Sequence, residues 1–252
     1  MRSFHNRAWG LPRVPSMDLN RAVIEPAVMA DEWSSLTEQI DVIADVATHI
    51  QIDVMDGQLV PPFSFPYNKT TLDTQQLPHT DSIQFAAHLM VQHPQEVGLR
   101  FIHAGVQRVV AQIEGFRTGE VARVCDEWKL AGAEVMLSIM LDTPLDQVTD
   151  FVEAGVVDAV QVMSIAQIGY QGRAFDERAL IRIRELRERY ADVIIAVDGG
   201  VGEHNLKRLF DAGATVFGVG SAIMKADDPR QTLAHLQNLL DSYAQRFQHT
   251  RA

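Results

Sequence analysis

The feature that most constrains the fold of this chain is a regular alternation of short apolar runs with amphipathic stretches. Eight runs rich in Val, Ile, Leu and Ala predict strands, at residues 22–29, 49–54, 83–89, 107–113, 134–139, 157–163, 193–197 and 215–219. Most of them are continuous apolar runs rather than strict alternations of apolar and polar residues. Such runs are typical of parallel strands that are buried on both faces.

The stretches between the strands carry helical spacing. One of them places Leu36, Ile40 and Ile43 on a single face, and similar apolar faces recur within residues 180–190 and 233–243. Eight strand–helix units predict an α/β fold with one domain, a closed (β/α)8 TIM barrel. A doubly wound open sheet is the main alternative, but no G-x-G-x-x-G pattern follows the first strand.

Glycines and one proline mark where the helices should end and begin. Gly105, Gly132, Gly155 and Gly213 each stand between a helical stretch and the next strand. We expect each of them to end its helix in the left-handed conformation. The pair Asp228-Pro229 predicts the start of the last helix, since a capping carboxylate precedes a proline at the first helical position.

The chain length suits one such barrel, because 252 residues is close to the roughly 250 that this fold takes. Residues 1–20 contain three arginines and no apolar run. We expect them to form a flexible N-terminal extension rather than a secretory signal. The barrel is expected over residues 21–245, followed by a frayed C-terminal tail at residues 246–252.

Charge and composition exclude several classes of protein. The formal net charge is −11, and an acidic chain repels nucleic-acid phosphates at long range. No run approaches the roughly 20 apolar residues that span a membrane. The single cysteine, Cys125, excludes an intrachain disulfide and a cysteine-based zinc site. It also suits a reducing compartment, which we expect to be the cytoplasm.

In a barrel of this kind, the chemistry takes place just beyond the carboxyl ends of the strands. Asp53 stands on the predicted inward face of the second strand, where a buried carboxylate is costly unless it is paired, metal-bound or catalytic. His88 ends the third strand, and Asp198 ends the seventh directly before two glycines. For Asp56, next to Gly57, we expect a structural role in capping the loop that follows.

Glycines follow the last two strands at the same end of the predicted barrel. Gly199 and Gly200 come after the seventh strand, and Gly220 and Ser221 come after the eighth. Barrels of this class often hold a phosphate on backbone N–H groups of these two loops. Two glycine-bearing loops side by side therefore predict a phosphate site, and the glycine-containing loop at residues 169–172 suits a flap over it.

Four segments carry these polar and glycine residues: Asp53-Val54-Met55-Asp56-Gly57, His88-Leu89-Met90-Val91, Val197-Asp198-Gly199-Gly200-Val201 and Gly220-Ser221-Ala222-Ile223. In order and spacing, the chain resembles ribulose-phosphate 3-epimerases from about Val23 to the last helix. The first and third segments together are specific to this family and its near relatives. The resemblance implies an enzyme that inverts C3 of a ketopentose 5-phosphate, interconverting D-ribulose 5-phosphate and D-xylulose 5-phosphate.

The resemblance also implies a role for each site residue. Asp53 and Asp198 would be the catalytic carboxylates, one removing the C3 proton to give an enediolate and the other returning a proton from the opposite face. A divalent metal (Zn, Fe, Mn or Mg) would act as a Lewis acid, held by Asp53, His88, Asp198 and the residue at position 51. The implied substrate-binding residues are His88, Met55, Met90, Met163, Gly169, Gly172, Gly199, Gly200, Gly220 and Ser221.

The sequence departs from the family around the pocket. Gln51 stands in place of the first metal-binding histidine, and its amide is a weaker metal ligand that could also donate a hydrogen bond to the enediolate. Ala27 replaces a serine, and Gln112 replaces the histidine two residues before Glu114. The barrel pattern and the phosphate loops are retained. We therefore expect phosphosugar binding with altered chemistry or a weakened demand for metal.

Three functions stay open on the sequence alone, because a fold does not fix a function. The first is a working epimerase, and the second is another phosphosugar enzyme, such as an isomerase, an aldolase or a decarboxylase. The third is a phosphosugar-binding protein without turnover. The decarboxylase relatives use an Asp-x-Lys-x-x-Asp motif, and Asp53-Val54-Met55-Asp56 lacks its lysine. A phosphorylated ketose is the expected partner, and a homo-oligomer stays open because no surface patch singles one out.

Overall fold

The computed structural model describes residues 22–68, 72 and 75–251, so the expected extension at residues 1–20 lies outside the described residues. Every strand lies within two residues of its predicted bounds. The strands are β1 (Val23–Val28), β2 (His49–Met55), β3 (Gln84–Met90), β4 (Arg108–Gln112), β5 (Glu134–Ile139), β6 (Ala159–Met163), β7 (Ile194–Asp198) and β8 (Val216–Val219).

The strands pair in parallel in chain order, and β8 pairs with β1 to close the barrel. The predicted (β/α)8 fold is therefore confirmed. Strand register brings predicted site residues side by side: Asp53 lies opposite His88 across the β2–β3 ladder. Across the β6–β7 ladder, Met163 lies opposite Asp198. The carboxyl ends of the strands thus meet at one end of the barrel.

Helices cover the outside of the strands, and their apolar faces form the main core with the outward side chains of the barrel. Leu36, Ile40 and Ile43 are fully buried on α1, as their spacing predicts. The helices are α1 (Trp33–Ile43), α2 (Gln95–His103), α3 (Val121–Leu130), α4 (Asp146–Glu153), α5 (Arg178–Arg189), α6 (Glu203–Ala212), α7 (Ser221–Met224) and α8 (Pro229–Arg251). A 3-10 turn, Ile113–Gly115, follows β4.

The marked helix ends follow the sequence signals. Gly105, Gly132, Gly155 and Gly213 have positive φ angles between 68° and 112°, which confirms their predicted conformation. At the start of α8, the Asp228 carboxylate accepts a hydrogen bond from the backbone N–H of residue 231 at 3.0 Å. Helix α8 extends to Arg251 without an interrupting glycine or proline, and fraying of the tail at residues 246–252 stays a prediction.

The amino-terminal half of the barrel interior is mostly apolar, with one buried ion pair. Arg108 Nη1 lies 3.1 Å from Glu25 Oε1, and Arg108 Nη2 lies 3.3 Å from Glu134 Oε2. Burial raises the pKa of Glu25 above its ordinary value, and the Arg108 cation acts against that shift. The apolar residues of this interior are Val23, Ala86, Val110, Met136, Ala159, Ile194, Ala196 and Val216. Among the described residues, no helix is long and apolar enough to cross a membrane.

Replacing Arg108 with methionine should destabilise the barrel by about 3–5 kcal/mol at neutral pH, because it leaves the Glu25 carboxylate buried without its cation. Loss of the cation raises the pKa of Glu25 further. When a carboxyl group has a raised pKa in the folded state, the free energy of unfolding falls as the pH rises towards that pKa. The loss of stability in Arg108→Met should therefore be larger at pH 8 than at pH 5. Urea unfolding at both pH values measures it.

Two variants control this prediction. Lys207→Met removes an exposed cation from its pair with Asp211, and it should change the free energy of unfolding by less than about 1 kcal/mol. Combining Arg108→Met with Glu25→Gln removes the unpaired charge and should recover part of the loss. An equal defect at both pH values would show that packing, rather than the buried charge, causes the destabilisation.

Candidate active site

Three strands bring two carboxylates and one imidazole together at the carboxyl end of the barrel. Asp53 on β2 and Asp198 at the end of β7 are nearly buried, with 6% and 7% of their surface exposed, and His88 on β3 is fully buried. His88 Nδ1 lies 3.4 Å from Asp53 Oδ1 and 3.2 Å from Asp198 Oδ2. The structure thus joins the three polar residues that the sequence picks out at separate strand ends.

The charges of this cluster depend on one another. Burial is the largest influence on His88 and lowers its pKa, but hydrogen bonds and attraction from Asp198 and Asp53 outweigh it and raise the pKa to about 9. The imidazolium balances one of the two negative charges. Burial raises the pKa of Asp53, His88 acts against that rise, and the Asp198 charge adds to it. Burial therefore favours the protonated form of Asp53 more than water would.

Amide and hydroxyl groups surround the other side of the His88 ring. Hydrogen bonding orients the Gln112 amide so that its oxygen accepts from His88 Nε2 at 3.2 Å and its nitrogen donates to Glu114 Oε2 at 2.9 Å. Gln161 Nε2 lies 3.3 Å from the same ring nitrogen and donates to Ser138 Oγ at 3.4 Å. These contacts hold the ring with Nδ1 facing the carboxylates.

The same cluster includes a group that could hold a metal ion. One ligand atom from each of Asp53, His88 and Asp198 lies within 4.8 Å of the others. The Gln51 amide nitrogen, however, lies 2.9 Å from Asp53 Oδ1, 3.0 Å from Asp198 Oδ2 and 3.4 Å from His88 Nδ1. An N–H donor therefore faces all three ligand atoms, and the residues as arranged do not fit the four-ligand site that the resemblance implies.

A pocket opens above this cluster, and most of the predicted site residues line it. Asp53 and Asp198 form part of its wall, while Gln51, His88 and Met55 lie outside the wall. Met55 is fully buried in an apolar cluster with Met90, Met163, Val60, Ile165 and Ile168. The other predicted residues on the wall are Met90, Met163, Gly169, Gly172, Gly199, Gly200, Gly220 and Ser221.

Two glycines at the site, Gly200 on the wall and Gly218 inside β8, permit close approaches that a side chain would prevent. A Cβ atom on Gly200 would lie 2.8 Å from the backbone nitrogen of Phe175, and Gly200 has a φ of +64°. Gly218, inside β8, would place a Cβ atom 2.9 Å from Asp198 Oδ1. Position 200 therefore requires glycine because of its left-handed backbone and its close contact with Phe175. Position 218 requires glycine because a side chain would collide with the Asp198 carboxylate.

The loop at residues 169–172, which follows β6 and is the predicted flap, lines the pocket. Gln171 Nε2 donates to the backbone oxygen of Ala27 at 3.1 Å, so the flap is tied to the end of β1. The same amide packs against Gly220, where a Cβ atom would lie 3.0 Å from Gln171 Nε2. Gln171 and Tyr170 belong to the wall. Neither residue could be identified from the sequence, because a single polar side chain in a loop does not reveal its partner.

Two buried serines that the sequence analysis misses hold the ends of β2 and β7. Ser64 Oγ accepts a hydrogen bond from the backbone nitrogen of Met55 at 2.9 Å and donates to the backbone oxygen of Asp53 at 3.2 Å. Ser164 Oγ donates to the backbone oxygens of Asp198 at 3.0 Å and Gly199 at 2.6 Å. Asp56 accepts from backbone nitrogens of the following loop at 2.8 and 3.0 Å, which confirms its predicted capping role.

Comparison with solved structures identifies enzymes of the same barrel fold. The 3-hexulose-6-phosphate synthase from Salmonella typhimurium superposes with a TM-score of 0.62, at 18% identity, over 88% of this chain and 99% of that one. The orotidine 5'-monophosphate decarboxylase from Sulfolobus solfataricus gives a TM-score of 0.58 at 10% identity, over 88% and 99% of the two chains. At these identities the similarity shows the fold.

Comparison of sequences identifies the family as well as the fold. Ribulose-phosphate 3-epimerase from Aquifex aeolicus is 29% identical over 223 residues, covering 86% of this chain and 96% of the relative. The chloroplastic ribulose-5-phosphate-3-epimerase of Arabidopsis thaliana is also 29% identical, covering 86% of this chain and 76% of the relative. The profile of the ribulose-phosphate 3 epimerase family matches residues 23–224, which is well over half of the chain. The resemblance seen in the four segments is therefore confirmed, and the chain belongs to the ribulose-phosphate 3 epimerase family.

Proposed function

We propose that this chain is an epimerase that interconverts D-ribulose 5-phosphate and D-xylulose 5-phosphate. The observation that carries the proposal is the placement of two nearly buried carboxylates, Asp53 and Asp198, on the wall of one pocket beside glycine-bearing loops. The names of the curated relatives support an epimerase acting on carbohydrate phosphates. An acyclic ketose with a terminal phosphate fits a pocket that has two carboxylates on its wall and glycine-bearing loops beside them.

Inversion at a carbon atom requires acid–base groups on two faces of the substrate. Strands β1 and β8 separate β2 from β7 around the barrel, so Asp53 and Asp198 reach the pocket from different sides. In the proposed reaction, one carboxylate takes the C3 proton, and the electron pair of the C–H bond forms the enediolate. The other carboxyl group delivers a proton to the opposite face of C3, which restores the ketone with inverted configuration.

The environment of the two carboxylates supports this cycle. One of them must hold a proton while the other is ionised, and burial raises the pKa of Asp53 in the direction that this requires. Met90, Met163 and Ile165 form an apolar part of the wall, which limits the access of water to the enediolate. His88 holds both carboxylates in place through its Nδ1 atom. Because it lies outside the pocket wall, it affects the substrate only through Asp53 and Asp198.

The phosphate is expected at the loops after β7 and β8. Gly199, Gly200, Gly220 and Ser221 all line the pocket, and the short helix α7 begins at Ser221. Phosphates in barrels of this class bind where these two loops meet the amino end of a short extra helix. The first backbone N–H groups of a helix have no partner within the helix, so they are free to bind an anion.

The remaining expectations stay predictions. Cys125 is fully buried on α3, and burial raises the pKa of its thiol to about 12, so it is a poor nucleophile. A reducing, cytoplasmic location and the absence of nucleic-acid partners are still expected from composition. A phosphosugar-binding protein without turnover would bind the same ligand, and solvent exchange at C3 separates it from an epimerase.

Asp53→Asn and Asp198→Asn should each abolish exchange of the C3 proton of ribulose 5-phosphate with deuterated water. The amide of asparagine cannot take up or deliver that proton, and general acid–base catalysis typically contributes about 10²–10⁴-fold. Proton NMR of the substrate measures the exchange, and thermal unfolding checks that each variant is folded.

Asp56→Asn provides a matched control, because Asp56 is a buried carboxyl group near Asp53 that bonds to loop backbone and lies outside the pocket wall. This variant should retain exchange. Near wild-type exchange in Asp53→Asn or Asp198→Asn would rule out the two-base mechanism. Binding of ribulose 5-phosphate with no exchange by the wild-type protein would indicate a binding protein instead.

Gly200→Ala should weaken the binding of inorganic phosphate and of ribulose 5-phosphate. The new Cβ atom would lie 2.8 Å from a backbone nitrogen, so the β7 loop must move. The matched control is Gly155→Ala, which has a similar φ of +68° and no atom within 4 Å of the added Cβ. Both variants carry the cost of the left-handed conformation, about 1–2 kcal/mol. Calorimetric titration should detect lost phosphate affinity in Gly200→Ala alone, and equal affinities in both would place the phosphate elsewhere.

A further inference from the structure

The side chain of Gln51 occupies the centre of the polar cluster at the carboxyl end of the barrel. It is fully buried on the inward face of β2. Its amide nitrogen lies 2.9 Å from Asp53 Oδ1 and 3.0 Å from Asp198 Oδ2, both hydrogen-bond distances. An amide nitrogen carries two hydrogens, so it can donate one to each carboxylate.

The two hydrogen bonds from the Gln51 amide reduce the repulsion between the Asp53 and Asp198 carboxylates. Two carboxylates that are held together inside a barrel repel one another strongly, because the surroundings screen charge poorly. The pair requires positive charge or hydrogen-bond donors between its members. His88 Nδ1 faces both carboxylates from one side at 3.2 and 3.4 Å, and Gln51 supplies two more donors.

The orientation of the Gln51 amide follows from the same contacts. If the amide were reversed, its oxygen would face two carboxylate oxygens, and this arrangement is unfavourable unless a cation lies between them. In the orientation present, Gln51 Oε1 is buried without a hydrogen-bond partner. A buried carbonyl group without a partner is costly, so the contacts of the amide nitrogen must outweigh that cost.

We propose that Gln51 is a positioning residue that replaces a resident divalent ion in this barrel. Its two N–H groups hold Asp53 and Asp198 side by side, so the acid–base pair is assembled without a tightly bound metal. The role of the two carboxylates rests on the proposed function. The statement about metal does not, since it depends only on which atoms Gln51 presents to the ligand group.

The first experiment measures metal directly, on untagged protein purified without chelator. Elemental analysis should find far less than one Zn, Fe or Mn per wild-type chain. Gln51→His supplies a fourth ligand to Asp53, His88 and Asp198 and should approach one ion per chain. Losing even an outer partner of a metal ligand costs about 10–100-fold in affinity, so gaining a ligand should raise the affinity for Zn²⁺ at least about tenfold.

Two further variants make this comparison specific. Gln51→Glu removes the donor, adds a third carboxylate, and should also gain metal. Gln39→His adds a histidine on α1, where Gln39 bonds to the backbone oxygen of Met29, and it should leave the metal content at the wild-type level. Thermal unfolding with added Zn²⁺ gives a second reading, because an ion that binds the folded state raises its melting temperature. The rise should be large only in Gln51→His and Gln51→Glu.

The second experiment tests the positioning role. Gln51→Met has a similar volume but no donors. It should lower kcat for C3 exchange while leaving KM close to the wild-type value, because Gln51 lies outside the pocket wall. A chelator should not change the exchange rate of the wild-type protein. A merely structural role would instead lower the melting temperature and leave the kcat of the folded protein unchanged.

The outcomes separate this inference from the proposed function. Stoichiometric metal in the wild-type protein, whose removal by a chelator abolishes exchange, would overturn the inference and leave the epimerase proposal intact. Absence of exchange with ribulose 5-phosphate would overturn the epimerase proposal, while the metal content of the four proteins would still decide whether Gln51 excludes an ion. Equal metal content in the wild type and Gln51→His would also overturn the inference.

Discussion

Closure of eight parallel strands into a barrel removes their inward side chains from water everywhere except near the carboxyl ends. A polar group in this interior therefore needs a partner among the other inward side chains. At the amino end, Glu25 on β1 meets this requirement through Arg108 on β4. At the carboxyl end, Asp53, His88 and Asp198 meet it through one another and through glutamine amides. Burial, rather than any single contact, makes both clusters energetically important.

The barrel and much of its pocket could be predicted from the sequence because their signals are local. Residues 193–197 are apolar throughout, and the structure forms β7 at Ile194–Asp198, shifted by one residue. Asp198 before two glycines at a strand end is also a local pattern. Side chains alternate along a strand, so Asp53 could be placed on the inward face before its partners were known.

The partners themselves could not be predicted, since they depend on strand register and on loops that return to the barrel. Ser64 lies eleven residues from Asp53, yet it holds the backbone at the end of β2. Gln161 is a single glutamine in an apolar run, and only the closed barrel brings it to His88. Its place two residues before Met163 is a signal that could have marked it as inward-facing. The contact of Gln171 with Ala27 has no comparable signal, because it joins a flap to the first strand.

The two parts of the pocket depend on different kinds of interaction. The proposed phosphate site relies on backbone N–H groups of the glycine loops after β7 and β8. Their packing requires glycine at position 200, where a Cβ atom would lie 2.8 Å from the backbone nitrogen of Phe175. The cluster of Gln51, Asp53, His88 and Asp198 depends on contacts between side chains, so one replacement changes the contacts of every neighbour. Gln51 shows this directly, because its nitrogen reaches Asp53, Asp198 and His88 at once. In the proposed epimerase, a change at position 51 therefore alters how both carboxylates are held, while the backbone N–H groups of the glycine loops stay available to the phosphate.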